Sequence, residues 1–304
     1  MVTHQENPDV SSYRPATTVE VCMTPETAPK PVAFPGIGHS LLLMLLAFLL
    51  TVFLAVPIAV VDLVFHVKLS GNAFPIGYAN LVAVGAVIAI AIDLSKTPWR
   101  EALPFKPVRP LLLLPIIIST LGAGVLLSEI DNHVRSVFPP PAWLEQFIGD
   151  FFGGKEGLWG SLFALSVVAP LTEECLFRGV ILRGMLSRYS KWAAVVITSV
   201  LFALIHGNIW QLASAAALGL LYGWWFLRTG SLVPGVVGHA FNNGLIVVVL
   251  YLPFQIPGFN THSAFHPAVE FQPLWLDLSG LAFLGLGIWL FVRLSRRDDG
   301  ARIQ

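Results

Sequence analysis

From Leu41 to Phe65 the chain runs LLLMLLAFLLTVFLAVPIAVVDLVF, with Asp62 as its single charge. A segment of that length and composition crosses a bilayer as a helix, because hydrocarbon offers the backbone no other hydrogen-bond partner. Pro57 is expected to kink it. Further apolar runs follow at about Pro75–Asp93, Leu111–Glu129, Leu158 through Leu171 and onward, Trp192–His206, Trp210–Leu227, Leu232–Tyr251 and Trp275–Leu294. The expected fold is therefore all-α, a polytopic membrane protein with about eight transmembrane helices. Composition agrees. The 304 residues are 55% hydrophobic and 12% charged, where soluble proteins carry about 25% charged residues.

Residues 1–36 are rich in Pro, Thr, Glu and Val without apolar periodicity, and read as a disordered cytoplasmic tail. The first apolar run is too long for a signal-peptide core. Residues 37–157 hold the first three spans and an outer loop. Residues 158–251 hold the next four spans, and 252–304 a second outer loop, the eighth helix and a basic end. Lys96, Arg100, Lys106 and Arg109 fill one connection, and Arg183, Arg188 and Lys191 another. Arg228 follows the sixth span, and Arg293, Arg296, Arg297 and Arg302 close the chain. Basic connections alternate with non-basic ones, which places both termini in the cytoplasm. A formal net charge of +0 gives no electrostatic case for a nucleic-acid partner. Cys22 and Cys175 lie in the tail and in a membrane segment, so no disulfide framework is expected.

The ionisable residues of the second half stand out. A charged side chain at the bilayer centre costs about 2.5–3.5 kcal/mol on insertion scales, so such residues mark function by default. Glu173, Glu174 and Arg178 read EExxxR on the fourth span, Phe202 and His206 read FxxxH on the fifth, and His239 and Asn243 read HxxxN on the seventh. Glu173 lies 16 residues before Tyr189, and His206 lies 16 residues after Ser190. At a rise of 1.5 Å per residue, a hairpin turning there sets the two at nearly equal depth. His239 and Asn243, four apart, share a helix face. All of them can line one wet cavity in the inner half of the membrane.

Each residue also has a plainer reading. Glu174 and Arg178 form an i, i+4 ion pair, whereas Glu173 has no local partner. His206 can be an interfacial histidine, Asn243 interhelical glue, and Phe202 packing. Cys175 reads as an inert buried thiol. Ala217, Gly219 and Gly223 on the sixth span allow close helix approach. There is no nucleotide-binding loop, HExxH helix, GxGD motif or GxSG serine.

These three motifs, in this order on successive membrane segments, resemble those of the CPBP family, the type II CAAX prenyl endopeptidases with their prokaryotic Abi and bacteriocin-processing relatives. The match covers about Leu158–Leu250. The resemblance implies an intramembrane endopeptidase in which Glu173 activates water with help from His206. His239 and Asn243 would stabilise the oxyanion, and Glu174 and Arg178 would hold the site in shape. It implies a membrane protein or peptide substrate, prenylated or not. Hydrolysis needs a general base and oxyanion donors, which Glu, His and Asn supply without a metal, so no cofactor is expected. A zinc site would need three ligands and an open position, and Glu173, His206 and His239 are the candidates. A proton-coupled transporter is the alternative, disfavoured because the mid-membrane polar motifs all lie in one half of the chain rather than in paired repeats. A non-catalytic scaffold or immunity protein is another. The expected location is a bacterial inner membrane.

Overall fold

The computed structural model describes residues 34–67, 73–153, 157–261 and 269–301. The expected tail lies almost wholly outside the described residues, as do Cys22 and Arg302. The described elements are helical, with no strand among them. Eight longer helices follow in order. They are α1 (Ile37–Phe65), α2 (Ala73–Ser95), α3 (Leu113–Val137), α4 (residues 157–186), α5 (Lys191–Leu204), α6 (Ile209–Thr229), α7 (Val233–Val249) and α8 (Leu274–Ala301).

Four of them are long and apolar enough to cross a membrane: α1, α2, α3 with its leading 3-10 turn, and α8 as far as Ser295. Helices α5 and α7, of 14 and 17 residues, are apolar but shorter. Pro57 sits inside α1, which continues to Phe65. Helix α3 outruns the expected end at Glu129 because its last turns are held by side-chain pairs. Arg135 Nε donates to Asp131 Oδ2 at 2.6 Å, one turn away.

Large apolar side chains face outward around the molecule: Phe53, Leu63, Trp159 and Leu274 are each more than two-thirds exposed. In water such a surface would drive association. Against lipid it costs nothing.

Helix α4 lies at the centre. Its Phe177, Ile181, Leu182 and Met185 are buried against Leu43 and Met44 of α1, Ile88 and Ile92 of α2, and Val195 and Phe202 of α5. Helices α3 and α8 meet along a second seam made of glycines. A Cβ on Gly122 would run into the backbone of Leu284, and one on Gly287 into that of Ser119. The two backbones therefore touch, the arrangement that small residues permit between membrane helices. The α5–α6 contact is similar. A Cβ on Gly219 would lie 2.9 Å from Ser199 Cβ, and one on Gly223 2.9 Å from Val195. Ala217, expected to join them, is exposed instead, because it sits on the opposite face of α6 from that stripe.

Candidate active site

The site is built around the irregular course of α4. Residues Leu162–Val168 form a π-helical stretch, Ala169–Glu174 return to α, and Cys175–Ile181 are π-helical again. Pro170 explains the first widening. In a regular α-helix its ring would press on the carbonyl of Ser166, and its missing N–H would leave that carbonyl bare. The wider turn relieves the clash, and Ala169 N–H moves to the carbonyl of Ala164. In that register the carbonyl of Leu165 would look to residue 170, which has no N–H to give. Asn243 Nδ2 supplies the missing donor at 2.9 Å. This places Asn243 in the wall of the site and spends one of its two amide hydrogens.

The second π stretch follows Glu174 directly. Glu174 is fully buried, and its Oε1 accepts from Arg178 Nη1 at 2.9 Å, the expected i, i+4 pair. Arg178 Nη2 donates to the carbonyl of Gly219 at 2.9 Å. The guanidinium also lies over the rings of Phe202, at 4.7 Å, and Tyr222, at 5.5 Å. His239 Nδ1 is 3.2 Å from the same Glu174 Oε1. A carboxylate oxygen only accepts, so the Nδ1 hydrogen is fixed there. His239 Nε2 then faces Glu173 Oε2 at 3.9 Å. Glu173 keeps 23% of its side chain exposed, whereas Glu174 keeps none. One carboxylate of the pair is thus sealed in and the other opens outward.

Phe202 stands between the two histidines. Its ring meets His206 at 5.2 Å and His239 at 5.7 Å, both edge-on, and Phe177 at 5.1 Å. His206 sits at the end of α5 with Nδ1 2.8 Å from the carbonyl of Phe202. That carbonyl requires a hydrogen on Nδ1, which leaves Nε2 with its lone pair in the neutral ring. Gly207, with φ of 66°, lets the chain reverse immediately afterwards, and Asn208 caps α6 by accepting from Gln211 N at 2.9 Å.

Arg178, His239 and Asn243 thus meet Glu173, Glu174 and the backbone of α4, and His206 adjoins them through the ring of Phe202. Glu173 Oε2 faces His239 Nε2 at 3.9 Å, an ion pair when that ring is protonated. Glu173, His206 and His239 are not gathered as a metal-binding group; among the described residues no three His, Cys, Asp or Glu are. Two contributors were not legible beforehand. Gly235 leaves room for Glu174, since a Cβ there would lie 2.6 Å from Oε2. Tyr222 stacks on His239 at 5.4 Å with an interplanar angle of 26°. Neither has a sequence signal. A glycine at a helix start and a tyrosine among Leu, Trp and Gly both read as packing.

Comparison with known proteins covers this part of the molecule. Residues 155–245 match the family described as type II CAAX prenyl endopeptidase Rce1-like. The site-bearing segment resembles those endopeptidases. The Rce1-like segment takes in α4 to α7 and with them all three motifs. Over 84 residues the chain is 37% identical to an "Uncharacterized 24.3 kDa protein" of Escherichia coli, covering 26% of this chain and 39% of that one. Over 90 residues it is 26% identical to the Bacillus subtilis protein named "Putative membrane peptidase YdiL", covering 30% and 37%. A third relative, "UPF0177 protein YxdF" of Lactococcus lactis, is 32% identical over 79 residues, 26% of this chain and 43% of that one. The similarity thus spans about two fifths of each relative.

Proposed function

We propose that this chain is an intramembrane endopeptidase that hydrolyses a peptide bond of a membrane-associated protein or peptide, using a water activated by Glu173. The observation that carries the reading is the unequal carboxylate pair around His239. Sealed Glu174 is held by Arg178 and orients the imidazole, while open Glu173 faces the other ring nitrogen. The Rce1-like match over the same helices and the peptidase name of the Bacillus relative support it.

In this mechanism the water donates one hydrogen to Glu173 and the other to the lone pair on His206 Nε2. Its oxygen attacks the carbonyl carbon while Glu173 takes the proton, and Glu173 later returns that proton to the departing amine. The charge that forms on the carbonyl oxygen needs donors. Asn243 offers its second amide hydrogen. His239 offers Nε2–H when both ring nitrogens are protonated, a charge that Glu174 on one side and Glu173 on the other are placed to balance. No step calls for a metal. The proposed setting is eight crossings of a bacterial inner membrane, both termini cytoplasmic, with the shorter α5 and α7 inside the bundle.

The test is substrate trapping. A Glu173→Gln protein, crosslinked in its own membranes, should retain a peptide or protein that the wild-type protein cleaves in detergent. Retention of the same molecules uncleaved by the wild-type protein would instead favour a scaffold.

A further inference from the structure

Tyr222 raises a question of cost. Its side chain is fully buried, yet its hydroxyl has no hydrogen-bond partner. A buried unpaired donor costs about 1–3 kcal/mol, and a phenylalanine would fill the same space without that cost. The oxygen must therefore have a use outside the resting arrangement of the side chains. Its surroundings indicate which. The ring stacks on His239, and the Arg178 guanidinium lies over it at 5.5 Å. Glu174 and Glu173 flank the imidazole on which the ring stacks, at 3.2 Å and 3.9 Å from its two nitrogens. Two acceptors in the same cluster, Glu173 Oε2 and Glu174 Oε2, are buried and likewise accept no hydrogen bond among the described residues, His239 Nε2 standing 3.9 Å from the first of them. Arg178 Nε, a second buried donor of this cluster, also lacks a hydrogen bond among the described residues, so donors and acceptors stand together around one imidazole. Groups of that kind are what a bridging water joins, since a buried water needs two to four polar partners.

We infer that Tyr222 is a positioning residue of this site, its ring fixing the plane of His239 and its hydroxyl donating through a bound water to the Glu173–Glu174 pair. The inference rests on the endopeptidase reading and adds a member from α6, a helix that carries none of the three motifs. The platform is itself supported. Tyr222 stacks on Trp225 at 5.6 Å, and Trp225 meets Phe291 of α8 at 6.0 Å. His239 is thus braced by a column of rings that ends in the last helix.

The test uses the full chain in detergent or nanodiscs with Tyr222→Phe and Tyr222→Leu. The phenylalanine variant keeps the ring and its stacking on His239 and Trp225, so it should stay folded with a melting temperature close to wild type, yet its kcat should fall about tenfold with KM unchanged. The leucine variant should lose about 10²-fold in kcat, the scale of a misplaced catalytic group. A Tyr222→Phe protein with wild-type kcat would overturn the inference, since the hydroxyl would then do nothing. If wild type shows no Glu173-dependent cleavage at all, the endopeptidase reading fails by itself. The imidazole ¹⁵N signals of His239, identified by their loss in His239→Gln, then decide the matter. Signals that shift in Tyr222→Phe keep the inference, and unchanged signals overturn it.

Discussion

His239 Nδ1 and Arg178 Nη1 share a single acceptor, Glu174 Oε1, at 3.2 Å and 2.9 Å. One buried oxygen thus fixes a cation on its own helix and an imidazole on α7, 65 residues away in sequence. The motif that looks like two tandem acids holds two different environments. Glu174 is sealed and bonded, whereas Glu173 keeps 23% of its side chain exposed.

The first consequence concerns Glu173. Glu173→Gln keeps the shape of the side chain but removes the base, so cleavage in detergent should fall to background with folding intact. Cys175→Ala should leave turnover nearly unchanged, because the thiol is free and buried in the hydrophobic core. A dead Cys175 variant beside an active Glu173 variant would refute the mechanism.

Arg178→Ala should act through stability instead. It strands a fully buried carboxylate, and breaking a buried pair costs about 3–5 kcal/mol. Melting temperature and yield should drop, with activity lost in proportion to the folded fraction. Normal melting with complete loss of turnover would move Arg178 from support to chemistry.

Glycine substitutions probe the space around Glu174. Gly235→Ala puts a methyl 2.6 Å from Oε2 and must displace the carboxylate, so turnover should fall at least tenfold. Gly38→Ala, where a Cβ meets nothing within 4 Å, is the control. It should be neutral or stabilise by up to about 1 kcal/mol through helix propensity. Thermal melts and cleavage rates on the two variants distinguish site geometry from a general dislike of alanine.

Topology and metal dependence each have a direct measurement. Single cysteines at Ser190 and Thr261 should label from opposite sides of the membrane, and labelling from one side would remove the eight-crossing arrangement. Purified protein should keep its activity after exhaustive chelation and carry no stoichiometric zinc. Loss with chelator and recovery with zinc would make Glu173, His206 and His239 ligands after all.

Much of this was readable in the chain because it follows from helical spacing. Glu174 and Arg178 are one turn apart and pair; His239 and Asn243 share a face and both reach α4. The hairpin arithmetic put Glu173 and His206 at one level, but depth says nothing of azimuth. The ring of Phe202 stands between the two histidines, and Glu173 meets His239. The π stretches were invisible, since a widened turn leaves the apolar pattern almost untouched. Pro170 was the clue, and its effect shows only where Asn243 answers the carbonyl of Leu165. Tyr222 and Gly235 act through contacts across α6, α7 and α4 that no local pattern encodes.

The glycine seam between α3 and α8 has a consequence for biosynthesis. Helix α8 follows α4 to α7 in the chain, and until it docks, Ser119, Gly122 and the face of Trp225 that meets Phe291 lack the neighbours it brings. The column of rings behind His239 is then one ring short. A ribosome that has released α4 to α7 has delivered every motif residue but not a braced histidine. Chains ending before Leu274 should insert, expose Trp225 to quenchers in the lipid, and cleave nothing.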